Sequence, residues 1–327
     1  MKRVLVTGAT GFTGGHLARR LRGAGDDVRV IVRDPSKATD LAADGVAVVR
    51  GDLLDRDSVR RAMEGIDVVY NIGALYRAAG LKESVYRAVN ADAVVTLIEC
   101  AREAGVTRVV HCSTVGVHGD IEHPPANEDA PLHPGDVYQE TKVLGEQLGR
   151  DAAAKTGVEL VIARPSGIYG AGDRRLLKLF GGVARGRFLF LGHGRIFYHL
   201  THVDDLCDGF RLCGTVPAAA GRTYILAGGE VTTLNELVAL TAEIARVAPP
   251  KVHLPVWPFW MAGAACEALC APFGIEPPIF RRRVDFFTKS RSFDISRARA
   301  ELGYAPKVTL RDGIGRTLEW YREHRWI

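Results

Sequence analysis

Thr7-Gly8-Ala9-Thr10-Gly11-Phe12-Thr13-Gly14 follows the short apolar run Arg3-Val4-Leu5-Val6 and opens an amphipathic stretch from about Gly11 to Ala24. The three glycines fall where a turn must be tight, where backbone must approach a bound group, and where a helix must settle onto a sheet. A helix starting there offers free N–H groups and the positive end of its dipole, which suits a pyrophosphate. A glycine triplet alone is common; placed between a strand and a helix, it points to a dinucleotide-binding turn. Outward from it, β-branched runs recur at Val28 to Val32, Ala47 to Arg50, Val68 to Ile72, Val109 to Ser113 and Leu160 to Ala163, separated by amphipathic stretches. These runs are apolar throughout, as strands covered on both faces should be. Strand and helix in alternation predict an α/β chain with a doubly wound parallel sheet, a Rossmann architecture.

After Arg164-Pro165 the pattern loosens into glycine-rich turns, a helix from Asp204 to Cys213 and a strand-like run at Thr223 to Leu226. We therefore assign residues 1–170 and 200–228 to the dinucleotide-binding domain and 171–199 and 229–327 to a smaller, interleaved substrate domain. Val252 to Ile275 is the most apolar stretch, but Pro255, Pro258 and Pro272 leave about 13 helical residues, too few to span a bilayer at 1.5 Å each. A buried helix is predicted there; a lid over an apolar ligand, or a peripheral membrane or lipid contact through residues 252–275, is the alternative.

Composition excludes several classes. With 43 Lys and Arg against 38 Asp and Glu, the net charge of +5 is too small to argue for nucleic acid, and the longest basic run is Arg281 to Arg283. Six cysteines without a CxxC pair suggest neither a zinc ribbon nor a disulfide framework, so a cytoplasmic location is expected. The N-terminal apolar run is too short for a signal-peptide core. His199, His202, Asp204 and Asp205 could be imagined around a metal, but we expect a strand-to-helix junction there and no metal.

Tyr138 and Lys142 stand four apart, on one face of a helix predicted after the loop His133 to Val137. A phenol is a poor base near neutral pH; an adjacent ammonium stabilises its phenolate and brings acid–base chemistry within reach. Ser113-Thr114 ends a predicted strand 24 residues upstream and can offer a hydroxyl to the same substrate oxygen. At the end of the second strand, Val32-Arg33 stands where an acid would bond a ribose 2′-hydroxyl. Arg33 suits a 2′-phosphate better, so NADP is favoured over NAD; the alternative is that Asp34 binds the ribose.

With these pieces, the chain resembles the extended short-chain dehydrogenase/reductase family, which contains sugar-nucleotide epimerases and dehydratases and the 3β-hydroxysteroid dehydrogenases. The resemblance covers nearly the whole chain. It also rests on Gly51-Asp52-Leu53, Asn71-Ile72-Gly73-Ala74, Asn90, Arg164-Pro165-Ser166-Gly167-Ile168-Tyr169-Gly170, His202-Val203-Asp204-Asp205, and Phe293-Asp294-Ile295-Ser296 with Leu302-Gly303-Tyr304. It implies that Tyr138 is the acid–base, that Lys142 bonds the nicotinamide ribose and lowers the Tyr138 pKa, and that Thr114 orients the substrate oxygen. It further implies a cofactor site of Gly8, Thr10, Gly11, Phe12, Gly14, Arg33, Asp52, Leu53, Gly73, Ala74, Ser113, Ser166 and Ile168, with Asn90 in a structural or relay role. The helices starting near Ala91 and Tyr138 carry apolar residues on more than one face; pairing with their symmetry mates would give a C2 homodimer, which the resemblance also implies.

Sugar-nucleotide members of that family carry an Arg where this chain has Tyr198, although Arg195 or Arg281 to Arg283 could compensate. The Val252 to Ile275 stretch resembles the hydrophobic insertion of sterol-type members. The expected reaction is hydride transfer between a nicotinamide and a secondary alcohol or ketone carbon of a sterol- or terpenoid-like molecule. Leu75, Tyr76, Leu176, Leu177, Tyr198 and Trp257 to Met261 would form the pocket wall. The alternatives are a nucleotide-sugar epimerase or dehydratase and, in another class, a non-catalytic NADP-binding sensor or scaffold.

Overall fold

The computed structural model describes residues 1–76, 80–270 and 284–327. In chain order its strands are β1 (Arg3–Thr7), β2 (Asp27–Val32), β3 (Ala47–Arg50), β4 (Val68–Asn71), β5 (Arg108–Cys112), β6 (Glu159–Pro165), β7 (Gly167–Tyr169), β8 (Phe190–Leu191), β9 (Phe197–His202), β10 (Thr223–Leu226), β11 (Val231–Thr233) and β12 (His253–Leu254). Seven of them form one parallel sheet in the order β10-β6-β5-β4-β1-β2-β3. The predicted doubly wound sheet is therefore present. Its order reverses between β1 and β4, and such a reversal opens a crevice beyond the carboxyl ends of those strands.

Alternate residues of the central strands feed opposite cores. Val4 and Val6 pack with Leu17 and Leu21 of helix α1 (Phe12–Gly23) and with Phe210 of the helix Val203–Thr215. Leu5 and Val69 pack on the other face with Leu97 and Ile98 of the helix Ala93–Glu103. Residues of both sets are almost fully buried, which explains strands apolar at every position.

A three-stranded sheet, β11-β9-β7, starts directly after β6 and builds a third core with Phe180, Leu237 and Tyr321. Phe293, Ala298, Leu302 and Tyr304 return to the first core.

The apolar stretch gives a result that differs from expectation. Trp257–Cys270 is a helix, with Pro258 in its first turn where no N–H is needed. It is not a buried helix: Trp257, Phe259, Trp260, Met261 and Leu269 are all exposed, and only Gly263 is buried. Its apolar residues surround the axis instead of forming a stripe, so no single neighbouring face could cover them. Residues 271–275 of the stretch, and Arg281 to Arg283, lie outside the described residues. No described helix is long and apolar enough to cross a membrane.

Candidate active site

One cleft of about 750 Å³ opens at the reversal of strand order. Its floor is backbone. Gly8 has φ +68°, and a Cβ there would stand 2.6 Å from the Gly73 Cα; a Cβ on Gly14 would stand 2.4 Å from the Gly8 carbonyl oxygen. Side chains at these positions would separate β1 from β4 and α1 from the turn. Gly11 starts α1 with no side-chain cap, and the first turn holds no acid, so its N–H groups remain available to an anion.

Gly8, Thr10, Gly11, Phe12, Gly14, Arg33, Asp52, Leu53, Gly73, Ala74, Ser113, Thr114, Tyr138, Ser166 and Ile168 all line this cleft. Arg33 is exposed at its rim, whereas Asp34 turns away and accepts from Ser36 N and Oγ at 3.1 and 2.7 Å. Ser166 Oγ is buried with no hydrogen-bond partner among the described residues. An unbonded buried hydroxyl is costly, so a bound group that supplies a partner fits here. The backbone cradle and this hydroxyl together fit a dinucleotide.

Tyr138 lies in the first turn of the helix Val137–Thr156, whose start is set by Asp136 accepting from Gln139 N at 2.9 Å. Thr114 Oγ1 accepts from Gly116 N at 3.0 Å, which leaves its own proton for an acceptor in the cleft. Lys142 sits behind the wall, almost fully buried, and donates to the Cys112 carbonyl at 2.7 Å. Burial holds its pKa below the usual lysine value.

His111 is the residue sequence reasoning missed beside it. Its Nε2 lies 3.4 Å from Lys142 Nζ, and its Nδ1 lies 3.0 Å from the Asn71 amide. Thr7 Oγ1 continues the chain, bonding Asn71 at 2.8 Å and accepting from Gly73 N at 2.9 Å. Burial first, and the Lys142 charge second, push the His111 pKa well below its ordinary value. Asn71 Nδ2 can only donate, so Nδ1 is the acceptor and a neutral imidazole keeps its proton on Nε2, facing the ammonium; the Cys112 carbonyl is the hydrogen-bond acceptor of Lys142. Only a histidine one residue before Cys112-Ser113-Thr114 could have signalled this.

Asn90 sits in a π-helical turn, Ala88–Asp92, and joins the loop after β4 to the tyrosine helix. It accepts from Leu75 N at 2.8 Å and donates to Leu75 O and Thr141 Oγ1, each at 3.1 Å. His202 caps the Val203–Thr215 helix, while Asp205 accepts from Lys307 N and Val308 N at 2.9 and 3.0 Å. Asp205 thereby ties the C-terminal segment to that helix.

The substrate end is bounded by Leu75, Tyr76, Leu176, Tyr198, Phe286 and Phe293, with Lys289 and Arg291 beside them. Leu177 and Trp257 to Met261, expected in this wall, are absent from the described lining. Phe286 takes that place, and the Tyr198 hydroxyl donates to its carbonyl.

The fold and cleft are those of a nicotinamide-dependent short-chain dehydrogenase/reductase of the extended type. The family model for the NAD dependent epimerase/dehydratase family matches residues 4–227, and the chain belongs to that family of oxidoreductases, epimerases and dehydratases. The chain is 32% identical to sterol demethylase protein B of Methylococcus capsulatus, over 99% of each chain. It is 31% identical to the 2-alkyl-3-oxoalkanoate reductase of Stenotrophomonas maltophilia, over 96% of this chain and 98% of that one. Among solved structures it is similar to DesIV, a dTDP-glucose 4,6-dehydratase of Streptomyces venezuelae with NAD and TYD bound. The TM-score is 0.77 and the identity 28%, covering 99% of this chain and 98% of the other.

Proposed function

We propose that the chain transfers a hydride between NADP, or NAD, and a secondary alcohol or ketone carbon of a sterol- or terpenoid-like substrate. Gly8, Thr10, Gly11, Phe12 and Gly14 hold the pyrophosphate, Arg33 the 2′-phosphate, and Asp52 and Leu53 the adenine. Gly73, Ala74, Ser113, Ser166 and Ile168 surround the nicotinamide half. When bound, the nicotinamide supplies hydride chemistry. Thr114 donates to the substrate oxygen and Tyr138 exchanges its proton with that oxygen. Lys142 bonds the nicotinamide ribose and favours the phenolate. Asn90 has the structural role its three bonds describe.

The observation that carries the substrate class is the aromatic and aliphatic end of the cleft, together with Arg195 lying exposed outside its described lining. Relatives named for a sterol and for an alkyl-oxoalkanoate add support. The exposed Trp257, Trp260 and Met261 suit contact with a lipid surface that holds such substrates, and co-sedimentation with vesicles measures that contact directly. A nucleotide-sugar epimerase or dehydratase is the second reading, favoured by Lys289 and Arg291 in the same cleft, where two phosphate charges would need cations. The test is incubation of the protein and NADP(H) or NAD(H) with 3β-hydroxy and 3-oxo sterols, and separately with dTDP-glucose and UDP-glucose. We expect turnover of the sterols. Turnover of the sugars alone would replace our reading with the second one.

A further inference from the structure

The loop after β7 reaches back across the cleft to the glycine turn. The Ala171 carbonyl lies 3.0 Å from His16 Nε2 on α1, and the Arg175 guanidinium sits over the Phe12 ring with Cζ 5.5 Å from its centroid. Phe12 is the residue after Gly11, so this cation stands beside the uncapped N-terminus of α1.

Its orientation is imposed. Asp173, almost fully buried, accepts from Arg175 Nε at 2.9 Å through Oδ1 and from Leu176 N at 2.9 Å through Oδ2. Arg175 Nη2 donates to the Ile168 carbonyl at 3.1 Å, while Nη1 has no hydrogen-bond partner among the described residues. The carboxylate therefore holds the Nε edge and leaves Nη1 free beside the cleft that Arg175 lines. The unpartnered, buried Ser166 Oγ lines the same cleft and independently calls for a ligand.

Resting on the cofactor reading above, we propose that Arg175 binds the dinucleotide pyrophosphate at the N-terminus of α1, beside the glycine turn. A pyrophosphate carries two charges, whereas a helix N-terminus supplies about half of one. The guanidinium, shared with Asp173, adds positive charge and offers the N–H groups of Nη1 as charge-assisted donors. Asp173 is then a positioning residue for Arg175.

The test measures direct binding of NADPH, NADH and ADP-ribose to the full chain and to its Arg175→Gln and Arg175→Lys variants. We expect Arg175→Gln to weaken all three ligands by about ten- to a hundredfold, the size of a lost charge-assisted bond. Arg175→Lys should recover part of that loss, and both variants should melt within a few degrees of wild type. Unchanged affinity in Arg175→Gln overturns this assignment while leaving the cofactor reading standing. Failure of the wild-type chain to bind any of the three overturns both. A loss that Lys does not relieve, accompanied by a lower melting temperature, assigns Arg175 a structural role instead.

Discussion

At the scale of single residues, the proposed function separates chemistry from binding. In the proposed reaction Tyr138 is the group whose proton moves, so Tyr138→Phe should leave NADPH affinity within about twofold of wild type and lower turnover by about 10²- to 10⁴-fold. A variant retaining more than half the wild-type rate would remove Tyr138 from that role. In the same proposal Arg33 acts on binding alone. Its neighbour Asp34 is committed to Ser36, whose two hydrogen bonds hold the Asp34 carboxyl below its usual pKa. Arg33→Ala should therefore weaken NADP about tenfold or more while changing NAD little, as titration of each cofactor would show. Equal losses would mean that Arg33 does not read the 2′-phosphate.

Elements differ in how plainly the sequence announces them. The strands of the large sheet were legible because burial on both faces makes them apolar at every position, and helix α1 because glycines mark its start. The three-stranded sheet was not: β7 and β11 have three residues each, too short for a period to show. The Trp-rich helix misled because apolar residues usually signal burial, while here they surround an exposed helix. His111 and Arg175 escaped notice because each gains its meaning from a neighbour distant in sequence, Lys142 and Phe12 respectively. The tyrosine helix shows such a dependence in its packing. A Cβ on Gly145 would stand 2.2 Å from the Asn90 carbonyl oxygen, so this helix rests directly on the π turn. Gly145→Ala should push the two apart and destabilise the fold by about 1–3 kcal/mol. Denaturant unfolding checks this, and unchanged stability would contradict so close a contact.

The whole molecule carries two consequences of how its surface and interior are divided. Val95, Val143, Leu144 and Leu148 stay only half-buried along the paired helices Ala93–Glu103 and Val137–Thr156, an apolar strip suited to a second copy. We expect a C2 dimer by sedimentation, and a monomeric mass at micromolar concentration would exclude it. The interior sets the response to acid. His111, His118, His199 and His202 are buried, and burial is the first cause that lowers each pKa below the ordinary value near 6.5. In the unfolded chain these imidazoles take up protons as pH falls through about 6.5; in the folded chain they remain neutral until a lower pH. The unfolded state then binds more protons, so stability is intact above about pH 7 and declines from pH 6.5 toward the depressed folded values. Each histidine contributes a slope of up to about 1.4 kcal/mol per pH unit in that window. Lowered carboxylates such as Glu146, held down by Arg164 against the opposing effect of burial, act only below about pH 4.5. The unfolding free energy measured at pH 5.5 should therefore be lower than at pH 7.5, whereas equal values would show that these histidines are protonated within the fold.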